Sequence, residues 1–166
     1  MVDTTGFRNA MALLGGAVSV ITTDGAAGRF GFTASAVCSV TDQPPTLLVC
    51  MNRSSFANGH FKQNGVLSVN VLTAELKDIS AVFANRELSS DERFARASWS
   101  TLESGSPLLE GALVNFDCRI AQAHEVGSHT IFYCEVLGIL HGKSQEGLVY
   151  FNRAYHRLGD ASRSAC

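Results

Sequence analysis

The spacing of apolar positions changes several times along this chain. Phe7, Met11 and Leu14 recur at helical spacing and stop at Gly15-Gly16, which predicts a short amphipathic helix. Residues 18–23 are β-branched and alternating, and Asp24-Gly25 follows them as a turn signal, so a strand is expected there. Residues 30–40 read as a second strand closed by Asp42-Gln43-Pro44-Pro45. Residues 46–51 form a continuous apolar run, the pattern of a strand buried on both faces. From residue 54 to 63 the spacing turns helical, with Phe56 and Phe61 near one face and Gly65 as the stop; Ser54 or Ser55 suits the N-cap. Residues 66–72 return to strand. Leu76, Ile79 and Phe83 make one stripe of a helix over residues 75–83, and residues 91–97 predict a second short helix. Strands are expected again at 113–121, 130–140 and 148–151, with turns at 105–107, 125–128 and 141–147.

Strands outnumber helices and follow one another through short turns. That order predicts a mainly β architecture, an antiparallel barrel with helical inserts, over a doubly wound α/β sheet. The chain has no internal repeat, no low-complexity tract and no linker, so residues 1–166 are expected to form one domain.

Composition adds exclusions. With 46 % hydrophobic and 17 % charged residues the chain can build a core and is no disordered segment. A net charge of −2, with no run of like charges, leaves no footprint for nucleic acid. No stretch approaches the length of a membrane-spanning helix, and the first residues lack the basic and apolar regions of a secretory signal. Five cysteines (Cys38, Cys50, Cys118, Cys134 and Cys166) without close pairing argue against a disulfide framework or a zinc site, and a reduced, cytoplasmic setting is expected.

Several chemistries lack their motifs. The glycines do not form the G-x-G-x-x-G fingerprint, a phosphate-binding G-x-x-x-x-G-K-[ST] loop is missing, and there is no G-x-S-x-G elbow. The histidines at 60, 124, 129, 141 and 156 lack the i, i+4 pairing of a helical zinc site. A nicotinamide or flavin site would therefore need another architecture.

Residues 31–52, GFTASAVCSVTDQPPTLLVCMN, resemble the signature of the short-chain flavin reductases. These are reductase partners of two-component aromatic monooxygenases, with cousins in pyrimidine degradation and corrinoid reduction. The resemblance extends from Phe7-Arg8-Asn9-Ala10-Met11 through Asn70-Val71-Leu72 and Gly127-Ser128-His129 to residues 150–156, YFNRAYH. It implies a split β-barrel that binds FMN or FAD, usually as a homodimer, and accepts hydride from NADH or NADPH. It further implies that reduced flavin serves a partner monooxygenase component or another acceptor such as a corrinoid. The flavin contacts it implies are Thr33, Ala34, Ser35, Ser39, Val40, Cys50, Met51, Asn52, Ser54, Ser55, Phe61, Asn70, Val71 and Leu72. His129, Tyr155 and His156 would complete the site, with His129 over the flavin and against the nicotinamide.

The residues themselves allow two readings in several places. Small side chains at Thr33, Ala34, Ser35 and Ala36 let a planar ring approach the backbone, or they pack beneath a helix as in any strand. Arg53 either neutralises a phosphate or is solvated. Tyr155 either packs on nicotinamide or adenine or anchors the last strand. Ser128 stands where the family often has Asp, so no role that needs a carboxylate is expected there. A flavin-binding barrel without nicotinamide oxidation is the alternative function; the Gly127-Ser128-His129 turn and the Tyr155-His156 tail favour the enzyme.

Overall fold

The computed structural model of the chain describes residues 1–159; Cys166 lies outside them. Helix α1 (Thr4–Met11) starts at Asp3, whose carboxylate accepts from the Gly6 amide at 2.7 Å, and it buries none of its residues. Strands β1 (Gly16–Ala17), β2 (Ser19–Thr23), β3 (Phe30–Ala34), β4 (Val37–Asp42) and β5 (Pro45–Asn52) follow. Helix α2 (Asn58–Asn64) and β6 (Val66–Val71) lead to a 3-10 turn (Ala74–Leu76), α3 (Lys77–Ala84) and α4 (Ser90–Phe94). A small ladder, β7 (Trp99–Ser100) with β8 (Leu108–Leu109), precedes β9 (Val114–Val126), β10 (His129–His141), β11 (Gly147–Phe151) and β12 (Ala154–Leu158).

The central sheet has seven antiparallel strands in the order β3-β2-β6-β9-β10-β5-β4. Its two edges, β3 and β4, are neighbours in sequence, joined through Ser35-Ala36, yet no ladder joins them. Side chains from every strand share one core: Ile21, Val49, Met51, Leu67, Val69, Cys118 and Phe132 bury against Phe61 of α2, with Phe32 and Val37 packed alongside. A sheet whose first and last strands meet one core has curled into a barrel, and here the barrel is split between β3 and β4. A three-stranded sheet, β1-β11-β12, lies beside it.

A second core explains β2. Every residue of this strand is buried, because Ile21 faces the barrel interior while Val20 faces Leu72, Phe83, Phe94 and Leu109 beneath α3 and α4. The helices come close enough that Gly31 has no room for a side chain. A Cβ there would stand 2.7 Å from the Phe83 ring and 3.1 Å from the Ile21 carbonyl oxygen.

Some sequence expectations need correction. The strand expected over 30–40 is two strands, broken where the chain turns from one sheet edge to the other. β5 alternates, burying Leu47, Val49 and Met51 and leaving Leu48 and Cys50 half-buried; its apolar run does not mean burial on both faces. Helix α2 begins at Asn58 with Ala57 in the cap position, so neither Ser54 nor Ser55 is its N-cap; its end, Gly65 at φ 69°, is as expected. β9 and β10 run thirteen residues each and meet at a turn of only Gly127 and Ser128. β12, β1 and the β7–β8 ladder have no strong alternation in the sequence and were not expected.

Candidate active site

A cavity of about 890 Å³ opens at the split. Its walls are β3 with the following Ser35-Ala36, the end of β5 with the turn after it, the tip of the β9–β10 hairpin, and the segment from α3 into α4. Residues 30–36 border it consecutively. A strand contacting a cavity through one face would contribute only alternate residues. Consecutive lining means that the backbone edge faces the space, as expected of an edge strand with no further partner. The Gly31 carbonyl is turned outward to Arg93, and the two-residue period of the backbone turns Thr33 the same way. Small side chains at Gly31, Ala34, Ser35 and Ala36 leave that edge open.

Of the residues singled out from the sequence, Thr33, Ala34, Ser35, Cys50, Met51, Asn52, Ser54, Ser55 and His129 all border this cavity. They are brought together from three separate segments, 33–35, 50–55 and 129. The Thr33 hydroxyl is already committed, donating to the Ser80 carbonyl at 2.6 Å, so it can only accept from a ligand. Asn52 folds its side chain back, accepting from the Ser54 amide and hydroxyl, both at 2.9 Å. That Asx turn shapes the Ser54-Ser55 corner without a helix. His129 pairs across the sheet with Asn52, and its Nδ1 lies 2.9 Å from the Ser128 hydroxyl. The hairpin thus sets its imidazole at the cavity rim.

The other singled-out residues lie elsewhere. Ser39 and Val40 sit on exposed positions of β4 away from the cavity. Phe61 and Leu72 are fully buried, one in each core, and Val71 packs against the first core. Asn70 is fully buried as well. Its amide donates to the Val20 carbonyl and the Thr22 hydroxyl, and its oxygen accepts from the Leu109 amide and the Asn115 side chain. Every bond it can make within reach is protein-internal, so it ties β2, β6, β8 and β9 together and has nothing left for a ligand. Tyr155 borders a smaller hollow of about 200 Å³ with Tyr150, on the Thr33–Ser35 wall. Its hydroxyl lies 3.1 Å from that of Ser80, whose carbonyl holds Thr33, so this tyrosine both anchors the last strand and braces the cavity wall. His156, next in the strand, points away and donates to the Phe151 carbonyl at 3.2 Å.

Arg53 does not border the cavity; it is exposed, as the solvated reading expects, and it also engages the hairpin. Its Nε pairs with Glu125, its Nη1 donates to the Gly127 carbonyl at 3.1 Å, and its amide donates to the Ser128 carbonyl at 2.9 Å. Lys62 joins the same carboxylate. The Lys62 hydrogen bond, followed by that from Thr130, holds the Glu125 carboxyl below its ordinary value.

Two arginines on the facing wall were not found from sequence. Arg93 donates from Nη1 to the Gly31 carbonyl at 3.1 Å and from Nη2 to the Asn85 carbonyl at 2.6 Å, while its buried Nε has no partner among the described residues. Both acceptors are neutral, so its charge is uncompensated; burial lowers its pKa, but an arginine stays protonated. Arg86 is exposed at the wall and forms no ion pair among the described residues. The Ser89-to-Glu92 capping box that starts α4 was a readable signal for where this wall begins. Among the described residues no carboxylate borders the cavity. Burial raises the Cys50 thiol and pushes Cys134 in the core up to about 12, which favours the neutral thiol in both.

A flavin nucleotide fits these residues. An open strand edge between small side chains suits the hydrogen-bonding rim of a flat ring. Hydroxyls at Ser54 and Ser55 with uncompensated cations at Arg86 and Arg93 suit a phosphate. Known proteins agree with that chemistry. The chain is 55 % identical over 157 residues to an FMN reductase (NADH) RutF of Serratia proteamaculans, covering 95 % of this chain and 89 % of that protein. It is 53 % identical to the FMN reductase (NADH) RutF of Yersinia enterocolitica over 98 % of this chain and 88 % of that one. A crystal structure from Haemophilus somnus superimposes with a TM-score of 0.91 at 52 % identity, covering 95 % of this chain and all of that one. The NADH:FAD oxidoreductase SgcE6 of Streptomyces globisporus, solved with NAD and FAD fragments, does so at 0.87 with 27 % identity, over 96 % of this chain and 95 % of that one. The model of the flavin reductase like domain matches residues 11–159, and the chain belongs to that family.

Proposed function

We propose that this chain is an NADH-dependent flavin reductase, a single split-barrel domain over residues 1–166 that holds FMN or FAD in the cavity at the split. The observation that carries this reading is the open β3 edge, lined consecutively from Phe30 to Ala36, opposite a wall with cations and, among the described residues, no carboxylate. Bound flavin supplies a ring that accepts hydride from a nicotinamide.

The chain's own residues bind and orient. The Thr33 backbone reads the polar rim of the ring, and Ala34, Ser35 and Ala36 leave space for its plane. Ser54, Ser55 and Arg86 hold the phosphate, with Arg93 supplying uncompensated charge from behind. His129 borders the face of the cavity that remains open and orients the nicotinamide there. No protein group has to carry a proton for hydride to pass, which agrees with a site that has no carboxylate.

Reduced flavin serves a separate acceptor. Among the solved relatives, BorF is the flavin reductase component of a bacterial two-component tryptophan halogenase, similar at 29 % identity and a TM-score of 0.88 over 95 % of this chain and 99 % of that one. A partner oxygenase component is the acceptor this reading favours. Homodimerisation fits the apolar residues that the described fold leaves on its surface: Phe7, Met11, Leu13 and Leu14 of the N-terminal segment are all exposed. Among the described residues no helix is long and apolar enough to cross a membrane; a cytoplasmic setting is part of the proposal. The test is NADH oxidation with and without added FMN, where a rate that requires flavin and saturates with it supports the enzyme. A flavin-bound protein that leaves NADH unoxidised would be the holder alone.

A further inference from the structure

Beyond the Ser54-Ser55 corner the cavity ends on aromatic side chains that flavin ring and phosphate leave unused. Phe56 follows Ser55 directly and is 81 % exposed. Its ring meets Phe30 edge-on at 5.9 Å and lies 4.9 Å from the His60 imidazole. Phe30 stacks on His60 at 4.0 Å with 27° between the planes. His60 is itself fixed, because its Nδ1 donates to the Ala27 carbonyl at 3.0 Å.

An exposed phenylalanine alone needs no explanation. This one stands on the wall of a cavity, braced by two rings, and presents a flat apolar face. Such faces take flat heterocycles by stacking, whatever their substituents. The charge around it narrows the occupant. Among the described residues Arg86 and Arg93 border the same cavity and no carboxylate does, so a cationic ring is disfavoured and a ring carried on phosphate is favoured. The position narrows it again. A ring on Phe56 lies one residue past the serines that suit a phosphate, where the second half of a dinucleotide would begin. At about 890 Å³ the cavity is also near the upper end of ligand sites, which run to roughly 1,000 Å³.

We infer that Phe56, backed by Phe30 and His60, is a stacking platform for the adenine ring of a dinucleotide. The inference rests on the flavin reading above and deepens it. Adenine can come from FAD or from NADH, and binding and kinetics separate the two.

The experiment titrates riboflavin, FMN and FAD into the protein and into Phe56→Ala, and measures the KM for NADH at saturating FMN. Phe56 is exposed, so the variant is expected to fold. A loss of about tenfold in FAD affinity with FMN and riboflavin unchanged identifies FAD as the source, in line with the usual worth of one base stack. A rise of similar size in the NADH KM, with all flavin affinities unchanged, identifies the nicotinamide dinucleotide. Phe56→Trp should restore whichever is lost. Equal losses on all three flavins, or no change in any measurement, would overturn the platform while FMN binding by the unaltered protein upholds the flavin site. Unaltered protein that binds no FMN would overturn both.

Discussion

Arg53 and Glu125 are paired across the gap between the turn after β5 and the tip of the β9–β10 hairpin. The two segments carry Asn52 and His129, which face each other in register on adjacent strands. The pair thus adds a surface link between the proposed phosphate corner and the hairpin that carries His129, whose spacing the β5–β10 ladder sets. Lys62 shares the same carboxylate, and Arg53 itself does not border the cavity, so the proposed phosphate contacts are Ser54, Ser55 and Arg86.

Replacing Glu125 by Gln should lower the melting temperature slightly at neutral pH, since exposed pairs contribute little and are screened by salt. The pH dependence is the sharper readout. The folded-state pKa of Glu125 is lowered, so its contribution is fully present above the ordinary carboxylate range and is lost as pH falls through the folded value. The gap between the two proteins should close on acidification. A gap that widens in acid would show that the carboxylate is not held charged by Lys62 and Arg53.

Asn70→Ala should cost stability and spare the site. Removing its side chain leaves the buried Leu109 amide without its acceptor, at a cost of about 1–3 kcal/mol, and takes one bond each from Thr22 and Asn115, which keep partners at Pro107 and Leu109. Denaturant unfolding measures the loss. Flavin affinity of the folded fraction should be unchanged; a selective loss of flavin would return Asn70 to the ligand shell.

Arg86→Ala should weaken FMN several-fold and riboflavin hardly at all, because only FMN carries the phosphate that an exposed cation would meet. The effect should fall with added salt. Ser55→Ala is expected to follow the same pattern. Equal losses on both flavins would place the phosphate elsewhere.

His129→Ala should raise the KM for NADH by about tenfold, the worth of one well-placed contact, and leave FMN affinity nearly intact. Steady-state kinetics and a fluorescence titration separate the two. An unchanged KM would remove His129 from the nicotinamide side.

Much of this was legible in the sequence for physical reasons. Turn chemistry at Asp24-Gly25 and Gly65 marks element ends, and the alternation in β2, β6 and β10 marks strands. Three segments that border the cavity, 33–35, 50–55 and 127–129, stood out because small or polar residues interrupt apolar runs there. What sequence did not show depends on tertiary contact. Asn70 looks like a polar residue at a strand end, and only the arrival of Leu109 and Asn115 makes it an internal brace. Arg53 looks free until the hairpin brings Glu125 alongside. Arg93 carries no motif of its own; it borders the cavity because Gly31 lets α3 and α4 pack against β3. Ser35-Ala36 reads as continuous strand, since nothing in two small residues announces that one sheet edge ends and the other begins.

The most direct test of the account is anaerobic. Purified protein with equimolar FMN is mixed with NADH, and absorbance is followed at about 450 nm, where oxidised flavin absorbs and reduced flavin does not. The account predicts fast bleaching that is slowed in His129→Ala. Flavin that binds in the cavity yet stays yellow with NADH would contradict hydride transfer and leave a flavin-holding barrel.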